Sequence, residues 1–436
     1  MPTEDDLTGT PQHNRPPRPS PTQIGNRKLK AQSLMLGYGF DPELSEGSLK
    51  PPIFLTSTFV FESAAAGKRF FEGVTGKRPG GAEGLIYSRF NGPNQEILED
   101  RLALWEEADD ALAFSSGMSA IATLLLTFLR PGDYVVHSGP LYAATETLIG
   151  KILGQFGISW LDFPAGATRE EIDSVIARAK EKGRVSLIYL ESPANPTNAL
   201  VDVEAVAAAR NAAFAEDQRP PIAIDNTFLG PLWAQPLAQG ADLSVYSLTK
   251  YVGGHSDLVA GGLVGEKGLI NQVRMMRNTI GTICDPNTAW MLLRSLETLE
   301  LRMTRAGENA AKVCDFLRSH PKVEKIGYLG FLEEGSRQAD IFKRHCTGAG
   351  STFSLYLRGG EKEAFGFLDA LQIANLAVSL GGTETLASAP AAMTHLSVPE
   401  ERKKALDITP NLVRISIGVE DADDLIADFA NALNAI

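Results

Sequence analysis

The sequence predicts an α/β fold: a mostly parallel sheet flanked by helices, followed by a smaller C-terminal α+β domain. Three observations carry this expectation. Largely apolar runs such as Val185 to Glu191, Pro221 to Asp225 and Leu243 to Tyr246 bracket an alanine-rich helical stretch, Val203 to Ala215. That alternation of strand and helix is the pattern of parallel strands buried on both faces. Asn195, Asp225 and Lys250 fall at or just past the ends of those runs, and open α/β sheets gather their ligands at the carboxyl ends of strands. Near Asp285-Pro286 an aspartate N-cap and a first-turn proline open a long helix through Arg302. Beyond it, Thr352 to Leu357 alternates as a strand does.

Composition bounds the rest. At 436 residues the chain has room for two or three domains and a large core. The expected division is a disordered tail and arm over 1–61, a large ligand-binding domain over 62–284 and a C-terminal domain over 285–436. A net charge of -12 argues against nucleic acid or an anionic membrane surface as partner. No apolar run reaches the length of a membrane span, and the first residues show no signal-peptide core. Cys284, Cys314 and Cys346 are too few and too scattered for a disulfide framework or a metal site. A reducing cytoplasm is the expected home.

Taken in order, residues 1 to about 25, with Pro11, Pro16, Pro17, Pro19 and Pro21 among polar residues, read as a disordered tail. Lys50 to Phe59 is extended, because prolines disfavour helix at and before them. An amphipathic helix from about Gln95 to Glu107 follows Tyr87-Ser88-Arg89-Phe90-Asn91-Gly92-Pro93-Asn94. Phe114 to Ser119 ends a short strand and opens an apolar helix, Ala120 to Leu129. A Ser116-Gly117 turn at a helix start exposes free N–H groups and the positive end of the helix dipole, which suits an anion; capping by Ser116 is compatible with that role. Asp133 to His137 is a strand that delivers Leu141-Tyr142-Ala143-Ala144.

The richest stretch is Tyr246-Ser247-Leu248-Thr249-Lys250-Tyr251-Val252-Gly253-Gly254-His255-Ser256-Asp257. It places a lysine between small hydroxyl residues at a strand end, with glycines that let backbone approach a ligand closely. Pyridoxal phosphate needs this combination: an amine to bond the cofactor aldehyde, and hydroxyls to hold its phosphate. Upstream, the strand ending at Asp225 offers a carboxylate to keep a pyridinium nitrogen protonated. Arg414 lies in an apolar alternating strand, Leu412 to Ile417, where an unpaired charge is costly. Either Glu420 or Asp421 pairs with it, or it clamps a substrate carboxylate. His255, Asp257 and His395 are not at metal-ligand spacing, so no metal is expected. No Gly-x-Gly-x-x-Gly follows a first strand, so a nicotinamide cofactor is not expected either.

Ser247 to Tyr251 with Gly254 to Asp257 closely resembles the signature of the Cys/Met-metabolism family of pyridoxal-phosphate enzymes. This family includes cystathionine gamma-synthase, cystathionine and methionine lyases, and O-acylhomoserine sulfhydrylases. The likeness runs from about Lys50 to the C-terminus. It implies the fold-type-I pyridoxal-phosphate transferase fold, with Lys250 and Tyr142 catalytic. Cofactor contacts would come from Lys250, Asp225, Ser247, Thr249, Ser116, Gly117, Met118 and Tyr142, and from Tyr87 and Arg89 across a subunit boundary. Arg414, Ser379 and Asn195 would hold the substrate carboxylate. A homodimer at least, and a tetramer by family habit, follows from the shared site. The chain departs from the family at Gly92-Pro93-Asn94, where asparagine-proline-threonine is usual. It also has Ala144 where methionine-specific lyases carry a cysteine, so a strict methionine preference is not implied. The activity implied is gamma-elimination on an amino acid with a leaving group on its gamma carbon, yielding a 2-oxo acid or homoserine-type product and ammonia. Methionine-, homocysteine- or cystathionine-like substrates qualify, as does an oxygen-linked analogue such as canavanine. Gamma-replacement is the alternative.

Overall fold

A computed structural model describes residues 21–74, 77, 84–396 and 398–436. Residues 1–20 of the expected tail lie outside this range. In its last part Gln23–Ile24 (β1) pairs with Arg27–Lys28 (β2) in a hairpin. Gly25 supplies the left-handed turn at φ 55°, the geometry that a two-residue hairpin connection demands. A short helix, Ala31–Leu34 (α1), comes next. The segment 50–59 is extended as its prolines require, and Asn94 holds it by accepting from Phe54 N and donating to Pro52 O. A helix at Ala64–Val74 (α2) leads to the following part of the chain.

The main sheet alternates with helices. Pro93–Trp105 (α3) starts two residues earlier than its pattern predicts, because Pro93 takes the first-turn position where no N–H is needed. Asp110–Phe114 (β3) leads into Gly117–Phe128 (α4), whose start is set by a capping box between Ser116 and Ser119. The sheet continues with Asp133–Gly139 (β4), Ala143–Thr147 (α5), Ser159–Pro164 (β5), Arg169–Lys182 (α6) and Arg184–Glu191 (β6). Val203–Ala213 (α7), Ile222–Asp225 (β7), Gly230–Trp233 (α8), Leu243–Ser247 (β8), Gly261–Gly265 (β9) and Lys267–Ile280 (α9) complete it. The strand order is β3-β9-β8-β7-β6-β4-β5. Only β9 runs against its neighbours, so the expected parallel sheet is present with one reversed strand.

Both faces are covered. Ile121, Leu124 and Val273 of α4 and α9 pack with Val135, Leu187 and Val245 on one side. Ile172, Val175 and Val206 of α6 and α7 pack with Val136, Ile188 and Ile224 on the other. Each such side chain contributes roughly 1.5–3 kcal/mol by leaving water.

The helix opened by Asp285 and Pro286 is shorter than expected. Pro286–Leu296 (α10) ends, and Leu299–Arg318 (α11) begins after a break at Thr298. Arg302 closes the break: it donates to Ser295 O at 2.9 Å and, from the same guanidinium, to Tyr251 O at 2.7 Å and Val252 O at 3.2 Å. The kink therefore braces the backbone beside Lys250.

A second sheet follows. Its strands are Val323–Gly327 (β10), Thr352–Leu357 (β11), Asn375–Leu376 (β12), Leu386–Ser388 (β13) and Leu412–Ser416 (β14), in the order β10-β11-β14-β13-β12. The helices Arg337–His345 (α12), Glu361–Asp369 (α13), Glu400–Ala405 (α14) and Ala422–Asn434 (α15) accompany it. Val313, Leu317, Phe367, Leu425 and Phe429 of α11, α13 and α15 build a core against Phe353, Leu355 and Val413. Among the described residues no helix is long and apolar enough to cross a membrane.

Candidate active site

The parallel strands deliver their carboxyl ends to one pocket. Its lining includes Ser116, Gly117, Met118, Tyr142, Asn195, Asp225, Ser247, Thr249, Lys250 and Arg414. All ten were expected from the sequence, and they come from the ends of β7 and β8, the loops just past β4, β6 and β8, the start of α4 and β14. Burial of the strands on both faces leaves only their ends free to present polar groups, which explains the convergence.

Lys250 sits at the centre. The turn that follows β8 is closed by Lys250 N donating to Ser247 O at 3.1 Å and Gly254 N donating to Lys250 O at 2.7 Å. Its amine donates to Ser379 Oγ at 2.9 Å. Burial, assisted by the nearby Arg414 charge, lowers the amine pKa to about 8. The loop after Ser379 presses close to this turn: a Cβ on Gly381 would lie 2.7 Å from Tyr251 N, and Gly381 has φ +72°. Only glycine fits there.

Asp225 lines the same pocket. It is buried, and its Oδ1 accepts from Thr227 N at 3.0 Å and from Thr227 Oγ1 at 2.6 Å. Burial pushes its carboxyl up. No cationic side chain pairs with it among the described residues. The same Thr227 hydroxyl accepts from Ser247 N at 2.8 Å, locking β7 to β8. Thr227 was not anticipated; its signal is a hydroxyl two residues past a strand-end aspartate.

At the anion end, a Cβ on Gly117 would lie 3.0 Å from Ser247 Cβ. The free N–H groups of α4 and the Ser247 hydroxyl therefore face one spot. Thr249 Oγ1 accepts from Ala260 N at 3.0 Å, which fixes its position in the lining.

Arg414 has neither of the carboxylate partners that the sequence offered. Glu420 is engaged with Thr385 through Thr385 Oγ1 at 2.8 Å. Asp421 caps α15 by accepting from Asp423 N and lies 4.0 Å from Arg305. Arg414 instead donates to Asn195 Oδ1 at 3.3 Å and to the Val378 and Ser379 carbonyls at 3.0 Å each. A buried guanidinium with no carboxylate partner among the described residues is poised for an incoming one. Desolvation lowers its pKa to about 10.

Three expected residues, Tyr87, Arg89 and Ser379, are not in this lining. Tyr87 and Arg89 are absent from its lining; the Arg89 guanidinium lies 4.6 Å from the Phe90 ring centroid and donates to Asn278 O. Ser379 reaches the site through its hydroxyl and carbonyl contacts to Lys250 and Arg414. Glu191, Thr394, Val259, Val378 and Leu380 line the pocket without having been singled out. Asp202, Glu204 and His345 converge elsewhere, but the Arg344 guanidinium already bridges the two carboxylates. His255 and His395 bond to Gly253 O and Thr394 Oγ1 respectively and do not meet.

The donor set fits pyridoxal phosphate end for end: a free amine, an unpaired buried carboxylate beyond it, a helix start with hydroxyls, and an aromatic side chain at Tyr142. With a seven-stranded α/β sheet and a smaller C-terminal unit, these features define a fold-type-I pyridoxal-phosphate enzyme. A family model described as Cys/Met metabolism PLP-dependent enzyme matches residues 32–434. The chain is 38% identical over 392 residues to L-methionine gamma-lyase of Fusobacterium nucleatum subsp. polymorphum, covering 89% of this chain and 94% of that protein. It is 35% identical over 407 residues to cystathionine gamma-synthase of Mycobacterium leprae, covering 93% and 97% respectively. The solved cystathionine gamma-lyase of Lactobacillus plantarum, complexed with L-serine, superposes with a TM-score of 0.82 at 30% identity, covering 94% and 99%. The chain belongs to the Cys/Met-metabolism family of pyridoxal-phosphate-dependent enzymes.

Proposed function

We propose that this enzyme is a gamma-lyase acting on an amino acid whose gamma carbon bears an apolar, sulfur-linked leaving group. One observation carries the reading. Among the described lining residues the only charged groups are Glu191, Asp225, Lys250 and Arg414, and the remaining wall includes Met118, Ile121, Val259, Val378 and Leu380. Those four charges all have partners or assigned tasks within the reacting end. Among the described lining residues of this chain no charged group is left over for the amino-acid head of a second substrate, which favours elimination over replacement.

When bound, pyridoxal phosphate supplies an electron sink for charge developing at the substrate alpha carbon. Lys250 would hold it through its amine, Asp225 would face its ring nitrogen, and Ser247, Thr249 and the start of α4 would hold its phosphate. Arg414, braced by Asn195, binds and orients the substrate carboxylate, which fixes the alpha carbon near Lys250. Once the substrate's own amine has taken its place on the cofactor, the Lys250 amine, whose pKa burial lowers, would be free to take the alpha proton and to return it at a neighbouring carbon. Tyr142 covers the pocket and delivers a proton to the departing sulfur. With one water consumed to supply the carbonyl oxygen, the products are a 2-oxo acid, ammonia and a thiol.

Tyr87 and Arg89 would complete the phosphate end of a neighbouring subunit's site, so the enzyme would assemble as a dimer at least and, by family habit, as a tetramer. The reading is tested by mass-spectrometric product analysis on gamma-substituted amino acids, with and without added thiol. Oxo acid and ammonia without thiol support it. A new thioether that forms only with thiol, with little oxo acid otherwise, replaces it with gamma-replacement.

A further inference from the structure

Glu191 is a buried carboxylate in the pocket lining that the reaction described above does not use. It ends β6, directly opposite Asp225 in the parallel register. Its own N–H donates to Ser138 Oγ at 3.0 Å, which fixes its backbone to β4. Its two carboxyl oxygens are divided between two loops. Oε2 accepts from Tyr142 N at 2.6 Å, and Oε1 accepts from Asn195 N at 3.2 Å. Asn195 in turn accepts from Arg414 through its side chain. Burial and the adjacent Asp225 push the Glu191 carboxyl up, while the two peptide N–H groups pull it down.

We propose that Glu191 is a positioning residue that ties together the two working ends of the substrate. One carboxyl group holds the backbone of Tyr142, which faces the leaving group, and the backbone of Asn195, which braces the carboxylate-binding arginine. Both peptide nitrogens would otherwise be free to shift, since Tyr142 precedes a short helix and Asn195 lies in an irregular turn between β6 and α7. A displacement of about 1 Å at either place is enough to cost catalysis heavily. Capture of the substrate carboxylate and placement of the Tyr142 ring are thereby coupled through a single side chain. This inference rests on the roles proposed above for Tyr142 and Arg414.

The test uses the assembled, cofactor-loaded enzyme and two substitutions. Glu191→Gln keeps the shape but turns an N–H₂ group toward one of the two N–H donors. Glu191→Asp keeps both acceptor oxygens on a shorter stem. The expected result is a loss of about 10- to 100-fold in kcat/KM for Glu191→Gln, with kcat reduced as well as KM raised. Glu191→Asp should recover part of that loss. Amide hydrogen exchange, measured without substrate, should speed up at Tyr142 and Asn195 in Glu191→Gln while the rest of β4 and β6 stays protected. Wild-type kcat/KM in Glu191→Gln overturns the proposal. So does a loss of activity with exchange at both amides unchanged, and so does an Asp variant no better than the Gln variant. Because the exchange readout involves no reaction, it distinguishes a failure at Glu191 from a failure of the gamma-lyase reading.

Discussion

At Lys250 the environment changes the chemistry of a common side chain. Its burial beside Arg414 brings the amine to a pKa of about 8, against an ordinary lysine value of 10.5. Acylation of Lys250 in the cofactor-free protein, followed by peptide mass spectrometry, should therefore rise with pH to a midpoint near 8 and then level off. A rate still climbing at pH 10 would show that the amine is not desolvated. Lys250, Asp225 and Arg414 were legible in the sequence because each is a charge placed where charge is expensive, at or in an apolar strand. Thr227 and Glu191 were not, because their roles depend on bonds to backbone atoms of distant segments. Nothing in a hydroxyl or a strand-end glutamate announces which N–H it will meet.

Among the elements, the strands were the most readable and the helix ends the least. Apolar runs gave β6, β7 and β8 to within a residue. The break at Thr298 escaped because the bond from Arg302 to Ser295 O is a tertiary choice, made together with the carbonyls beside Lys250. A buried contact joins α3 to β8 as well. Glu106, at the end of α3, accepts from Ser244 Oγ at 3.0 Å and from the Tyr246 hydroxyl, and burial raises its pKa from 4.5 to about 7. The folded protein holds that proton to about pH 7, whereas the unfolded chain releases it near 4.5. Folding thus takes up a proton in this window, and stability falls by up to roughly 3 kcal/mol as pH rises through it. Denaturant titrations of Glu106→Gln should lose that part of the wild-type pH dependence. An unchanged profile would remove Glu106 from the account. At the other side of β8, a Cβ on Gly261 would lie 2.1 Å from Ser116 O. Gly261→Ala should therefore cost about 1–3 kcal/mol of stability and weaken cofactor retention, measurable by thermal denaturation and by dialysis. A variant as stable and as well loaded as wild type would mean the two backbones part easily.

For the molecule as a whole, the alternation of strand and helix gave the principal sheet and its ligand edge, because connectivity and burial leave few other solutions. The single reversed strand, β9, was not legible: its glycine-rich run reads alike in either direction. Assembly is a question at this scale. If Arg89 serves a neighbour, Arg89→Ala should remain folded yet release cofactor faster, and dilution of the wild-type enzyme should produce the same loss, followed by sedimentation and absorbance. A monomer that stays loaded and fully active would rule out the shared site.

The absence of Tyr87 and Arg89 from the pocket of their own chain has a genetic corollary. If Arg89 serves a neighbour's site, an allele encoding Lys250→Ala, inactive alone, and one encoding Arg89→Ala, which holds cofactor weakly, would complement one another in a mixed dimer. One of its two sites would combine the intact lysine of one chain with the intact arginine of the other. Random pairing of equal amounts would then restore about a quarter of the sites to wild-type composition, a composition that neither protein has alone.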